Sequence, residues 1–341
     1  MHRSETNPIS LFHGRRLVVL GDVMLDRFIY GHVRRISPEA PVPVLLKEKE
    51  LAMPGGAGNV ARNIAALGGT AILIGVIGDD AAGRDLRQSL RMSAGIEDLT
   101  LALEGTATIE KIRFYAQQHL LRVDAEVPAD THQESVLPRL ESALARADAL
   151  ILSDYAKGLL SAALVRAAIT AARRKHLPVI VDPKARDLSR YNGASLLTPN
   201  AGEAEISTGI EIVDDAAADR AGNMILQNLP DTPAVIITRG DKGVTLVERQ
   251  AAGGTQSLHL RTQAREVYDV SGAGDTLVSV LGLGIAAKLD LATSMRLANL
   301  AAGIVVGKHG TATVDAEDLD RAVRQERRYP SNPASRKAGG H

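Results

Sequence analysis

Short apolar runs bounded by turn residues recur along the chain, at 17–20, 71–77, 149–152, 179–181, 195–198 and 235–238. Longer stretches that read as helices lie between most of them, at 60–67, 161–175 and 216–229. Strands alternating with helices predict an α/β fold, a doubly wound and mostly parallel sheet flanked by helices. Such sheets bind ligands at the carboxyl ends of their strands. Segments 27–47 and 106–124 break the rhythm: they are richer in β-formers and charges. They predict short strands of a separate small sheet acting as a lid, with ordinary hairpins on the main sheet as the alternative. The lid's apolar face needs cover from the main domain or from a second subunit, so a homodimer through the lid is expected. Residues 327–341 are polar and rich in Pro and Gly, which predicts a disordered tail and leaves one domain over 1–326.

Composition narrows this picture. Of the 341 residues 45% are hydrophobic, yet Trp is absent and Phe and Tyr are few, so the core must be Ala, Val, Ile and Leu. That mix suits buried parallel strands under Ala-rich helices. Lys plus Arg and Asp plus Glu both number 40. A balanced charge excludes a general attraction to nucleic acid or membrane, so an anionic ligand must be held by local groups. Zero cysteines exclude disulfides, thiolate metal sites and cysteine nucleophiles. No run approaches the about 18 apolar residues that span a bilayer, and no apolar leader opens the chain, so a soluble, cytoplasmic protein is expected.

The chemistry concentrates in glycine-rich segments. Val267-Tyr268-Asp269-Val270-Ser271-Gly272-Ala273-Gly274-Asp275 leads into a helical stretch over 276–287. The start of a helix attracts phosphate, and Gly272, Ala273 and Gly274 keep side chains out of the way, which makes an anion hole. Asp275 would repel phosphate, but it suits a general base facing an acceptor hydroxyl. An acid is also favoured in a first helical turn for stability alone, and that alternative stays open from the segment itself.

Gly55-Gly56-Ala57-Gly58-Asn59 offers exposed backbone and an amide for sugar hydroxyls. It satisfies the dinucleotide pattern G-x-G-x-x-A as well, but the charged, proline-ended stretch before it is no buried strand, which argues against an oxidoreductase. No P-loop pattern occurs. Asn200 and Glu203 can organise Mg²⁺ and its waters around ATP phosphates. Thr238, Arg239, Gly240 and Gly243 offer a cation and two glycines for phosphate or ribose, and Lys184 adds a positive charge at the same predicted rim. Loops after strands are rich in such residues for conformational reasons too.

Together these segments, in this order and spacing, resemble the PfkB, or ribokinase-like, family of carbohydrate kinases over nearly the whole chain. The resemblance implies Asp275 as base, Gly272, Ala273 and Gly274 as anion hole, Asn200 and Glu203 acting on Mg·ATP with Glu203 meeting the metal through water, and a β-lid over the sugar. It implies that Asp26 holds sugar hydroxyls and that Asn299 packs near the nucleotide base. A monovalent cation beside the anion hole is left open. Segments 21–27, 35–44 and 153–158, the last including Lys157, are similar to the branch acting on D-glycero-β-D-manno-heptose 7-phosphate. That implies phosphorylation at C1, giving the 1,7-bisphosphate for lipopolysaccharide core synthesis. Some relatives continue into a nucleotidyltransferase domain; this chain stops first and is expected to be the free-standing kinase.

The substrate phosphate needs cations, and strand alternation puts Lys111 and Arg113 on one face and Arg122 and Asp124 on one face of the next strand. Exposed hairpin charges that merely solvate an edge are the alternative. The partners expected are a sugar phosphate and ATP. The rivals are a kinase of another sugar phosphate or nucleoside, and a non-catalytic regulatory module that binds the same ligands.

Overall fold

The computed structural model describes residues 7–126, 132–184, 186–262, 270–308, 310–328 and 336–338. Its strands are β1 (Arg16–Gly21), β2 (Val23–Ile36), β3 (Pro43–Gly56), β4 (Thr70–Ile74), β5 (Val76–Gly78), β6 (Ile96–Asp98), β7 (Leu101–Leu103), β8 (Ile109–Tyr115), β9 (His119–Ala125), β10 (Ala149–Ser153), β11 (Val179–Asp182), β12 (Leu196–Leu197), β13 (Ala234–Thr238), β14 (Val244–Arg249), β15 (Thr255–Leu260) and β16 (Arg336–Ala338). The helices are α1 (Ala57–Ala66), α2 (Ala81–Arg91), α3 (Gln133–Leu144), α4 (Ala162–Arg174), α5 (Ala201–Thr208), α6 (Asp215–Asn228), α7 (Ala273–Ala286), α8 (Leu291–Val305) and α9 (Ala316–Arg328).

The main sheet runs β16-β15-β14-β13-β12-β11-β10-β1-β4-β6. Its pairs are parallel from β13 through β6, and the strands after β13 join antiparallel. Strand alternation splits the core into two layers. Leu17 and Val19 of β1 pack with Ile64 of α1, Leu281 of α7 and Leu297 of α8. Val18 and Leu20 pack on the other face with Leu140 of α3, Leu164 of α4 and Ile225 of α6. The chain winds away from β1 in both directions, so the switch point lies between β1 and β10, where a ligand crevice belongs.

The lid is a separate sheet in the order β3-β2-β8-β9, as one of the two sequence expectations had it. It is longer at its root than 27–47 and 106–124 suggested, since β2 starts at Val23 and β3 ends at Gly56. Gly55 and Gly56 are therefore buried strand residues, and not the exposed backbone expected of them. Across the lid Asp26 pairs with Lys111 and Lys111 with Asp124; Phe28 pairs with Arg113 and Arg113 with Arg122. Period-two alternation puts all six on one face.

Run 71–77 also departs from a single strand. A side chain at Gly75 would meet Val23 Cγ2 at 2.3 Å, and this close crossing lets β5 leave the main sheet to pair with β7. The tail expected at 327–341 begins inside α9, and Arg336–Ala338 pairs with β15. The rest of that segment lies outside the described residues, as do Val267, Tyr268 and Asp269 of the glycine-rich signature. Among the described residues no helix is long and apolar enough to cross a membrane.

Candidate active site

Asp275 occupies the first turn of α7 and is almost completely buried, at 2% exposure. The helix starts at Ala273, three residues earlier than the apolar stretch alone indicated, because Gly272 takes φ +82° and turns the chain into it. A side chain at Gly272 would meet Asn59 Nδ2 at 2.7 Å. That amide is in use: Asn59 Nδ2 donates to Asp275 Oδ2 at 2.8 Å, and Tyr155 Oη donates to Oδ1 at 2.7 Å. Burial raises the carboxyl, against the two hydrogen bonds and the nearby Lys111, to a pKa of about 6. An ionised carboxylate has room for about four hydrogen bonds, so two lone-pair sites remain for a hydroxyl. A base tuned close to neutral pH in a dry pocket is suited to taking a proton.

The lid root closes one side. Asp26 is buried and accepts a hydrogen bond from Arg113. A side chain at Gly55 would meet Asp26 Oδ2 at 2.2 Å, so only glycine leaves that carboxylate its place. Lys111 Nζ lies 5.2 Å from the Tyr155 ring centroid, a cation–π contact, and burial lowers its pKa. Asp26, Gly55, Gly56, Asn59, Lys111, Arg113 and Asp275 are thus brought together. Arg122 and Asp124 are not: they pair with each other at 2.8 Å on the exposed outer strand β9. Lys157 pairs with Glu126 at 2.5 Å, while its backbone N–H goes to Asp22.

On the other side a cleft at the strand ends is lined by Asp154, Tyr155, Asp182, Lys184, Asn200, Glu203, Thr238 and Gly274. Asn200 and Glu203 form a capping box on α5: Glu203 N–H donates to Asn200 Oδ1 and Asn200 N–H to Glu203 Oε2, each at 2.9 Å. Lys184 Nζ donates to Glu203 Oε1 at 2.6 Å. Burial and the neighbouring Asp275 and Glu203 push Asp182 well above the carboxylate range. Oxygen donors at the mouth of this cleft suit a hard cation such as Mg²⁺, which keeps most of its waters and needs one or two carboxylates.

Gly240 and Gly243 both take positive φ, and a side chain at Gly243 would overlap Leu260 O at 2.0 Å. Arg239 turns instead to Asp215, at 2.7 Å. Asn299, on α8, is buried and donates to Arg261 O at 2.8 Å, fixing the strand exit before the signature rather than facing solvent.

Four residues of the site went unassigned from sequence: Asp22, Asp154, Tyr155 and Asp182. Asp22, Asp154 and Tyr155 follow β1 and β10, which flank the switch point, and Asp182 is the last residue of the neighbouring β11. An acid or aromatic at or just past the end of a buried strand is the signal that could have found them.

A buried carboxylate at a glycine-opened helix start, between a polar cleft and a cationic lid, is the constellation of a phosphoryl-transfer enzyme acting on a hydroxyl compound. The chain matches the pfkB family carbohydrate kinase profile over residues 15–318 and belongs to that family, which makes it a sugar kinase. It is 52% identical over 309 residues to the bifunctional protein HldE of Caulobacter vibrioides, covering 90% of this chain and 63% of that protein. With the HldE of Pseudomonas aeruginosa PAO1 it shares 47% over 311 residues, covering 91% and 64%. The chain thus spans less than two thirds of the length of these relatives. Two solved structures share the fold. They are an Arabidopsis thaliana ribokinase complexed with ribose and ATP (TM-score 0.72, 18% identity, 91% and 99% covered) and the Escherichia coli phosphofructokinase-2 in complex with potassium (0.72, 20%, 92% and 99%).

Proposed function

We propose that this chain transfers the γ-phosphate of ATP to the C1 hydroxyl of D-glycero-β-D-manno-heptose 7-phosphate, supplying heptose 1,7-bisphosphate for lipopolysaccharide core synthesis. The observation that carries the kinase reading is Asp275, buried between the Asn59 amide and the Tyr155 hydroxyl at the N-terminus of α7. The heptose assignment is supported by the similarity of segments 21–27, 35–44 and 153–158 to kinases of that sugar. It is supported further by two cations, Lys111 and Arg113, on the lid face that carries Asp26. The kinase unit is taken as 1–326.

Asp275 accepts the proton of the C1 hydroxyl as that oxygen attacks phosphorus in line. The positive end of α7, kept open by Gly272 and Gly274, receives the charge that develops on the phosphoryl oxygens. Asp26 orients the sugar hydroxyls, and Arg113, Lys111 and, after its pair opens, Arg122 receive the 7-phosphate. Asn200, Thr238, Arg239, Gly240, Gly243 and Asn299 shape the nucleotide side, while Lys157 and Lys184, at the rim, serve the sugar phosphate. Mg²⁺, held through Glu203 and water, supplies charge neutralisation when bound. A monovalent cation beside the anion hole would make turnover rise with KCl over a tetramethylammonium control.

The lid's outer residues Val33, Ile36, Val42, Leu46, Leu121 and Val123 are exposed, which supports a homodimer through this sheet. The deciding experiment is a panel of sugar phosphates and nucleosides under an ADP-coupled assay, with the product read by ³¹P spectra. A new phosphate at C1 of the heptose is expected. Phosphorylation of another sugar or carbon overturns the substrate, and tight ATP binding without ADP release overturns the kinase.

A further inference from the structure

Tyr155 is where the lid, the cleft and the base meet. Its hydroxyl donates to Asp275 Oδ1 at 2.7 Å, its ring lies beneath Lys111 of the lid, and its side chain lines the nucleotide cleft. The backbone around it is built for that pose. Tyr155 N–H donates to Asp22 Oδ2 at 2.8 Å and Lys157 N–H to the same oxygen at 3.1 Å. Between them Ala156 adopts φ +55°, a left-handed conformation disfavoured for any residue with a Cβ. Ala156 N–H is tied to Asp154 Oδ1 at 2.8 Å, and Asp154 is itself held by the Tyr191 hydroxyl. Strain persists only where surrounding contacts over-determine it, and here the strained turn aims one side chain, Tyr155.

We infer that Tyr155 is a positioning residue for the general base, fixing the Asp275 carboxylate and favouring its ionised form while the lid, through Lys111, packs on the same ring. The inference rests on reading Asp275 as the base. The charged and titratable groups around that carboxylate are Asp26 from β2, Lys111 from β8, Asp182 at the end of β11 and Tyr155 after β10, with the neutral Asn59 from α1. Among them Asn59 and Tyr155 touch it by hydrogen bond; the rest act through space, and Asp26 is matched by Arg113. A donor to the ionised form lowers a carboxyl pKa, so this contact opposes the burial that raises it. The phenol stays a donor across the working range, because burial and then the Asp275 and Asp182 charges hold its own pKa well above the ordinary value.

The test is Tyr155→Phe, with turnover followed against pH at saturating ATP. The acid limb should move up by about one pH unit and the plateau fall by about tenfold, with the KM for ATP changed by less than about twofold. In an Asp275→Asn background the same substitution should add no further loss, since the pair acts as a unit. An acid limb superimposable on that of the unaltered enzyme overturns the role of Tyr155. Near-normal turnover of Asp275→Asn overturns the base itself, a separate outcome. Tyr155→Met, which removes the hydroxyl and keeps apolar bulk, gives the same readouts should the Phe variant fail to accumulate.

Discussion

Burial gives Asp275 its basicity and also makes it a burden on the fold. With its pKa raised to about 6, the folded protein resists ionising a group that the unfolded chain ionises readily. The penalty is absent below about pH 4, grows as pH rises toward 6 and is constant above, at roughly 2–3 kcal/mol. Asp275→Asn should therefore melt higher than the parent at pH 8, with the gain shrinking toward pH 4, while turnover falls at least ~10²-fold. Calorimetry at both pH values together with the coupled assay checks both halves. In the parent, turnover should drop as pH falls through about 6, because the protonated carboxyl cannot accept the hydroxyl proton. The candidacy of Asp275 was legible beforehand: an acid after Gly272-Ala273-Gly274 at a helix start suits a base beside an anion hole. The raised pKa was not, because it comes from tertiary burial, opposed by hydrogen bonds from Asn59 and Tyr155, which lie 216 and 120 residues away.

Among the elements, α7 permits a separation of stability from activity. A methyl at Gly274 has nothing within 4 Å, and alanine favours a helix over glycine by about 1 kcal/mol. Gly274→Ala should fold as well as the parent or better, yet raise the KM for ATP and lower turnover by crowding the phosphate; thermal melts beside kinetics read this out. Gly272→Ala should lose both, since its left-handed turn and the 2.7 Å approach to Asn59 leave no room. On the lid, Arg113→Met frees Asp26 and removes a cation, so the KM for the sugar phosphate should rise about tenfold or more with that for ATP little moved. The parallel strands were readable because each is a buried apolar run ended by a turn. The lid root was not, because Gly55 and Gly56 resemble a loop. The proximity of Asp26 explains the glycine at 55, and a φ of +55° with Asp22 O 2.5 Å from an added side chain explains the one at 56. Motif position assigns Arg239 and Asn299 to the nucleotide side, and in the structure each also holds a partner within the protein, Asp215 and Arg261 O, which motif position does not reveal.

For the molecule as a whole, the exposed apolar residues of the lid give the dimer a sharp test. Leu46→Asp with Leu121→Asp should convert a dimer to a monomer by light scattering, with the far-UV spectrum unchanged; a parent that is already monomeric removes the proposal. The pairing of β1 with β10 bears on something else, the order in which the protein is made. Asp22 secures the Tyr155 turn across 133 residues of chain, and Asn59 reaches Asp275 across 216. No nascent chain that has not yet released α7 can hold the base, however complete its sheet. Recovery of turnover during refolding therefore reports closure of these two long loops, and it cannot run ahead of the signals for sheet or helix.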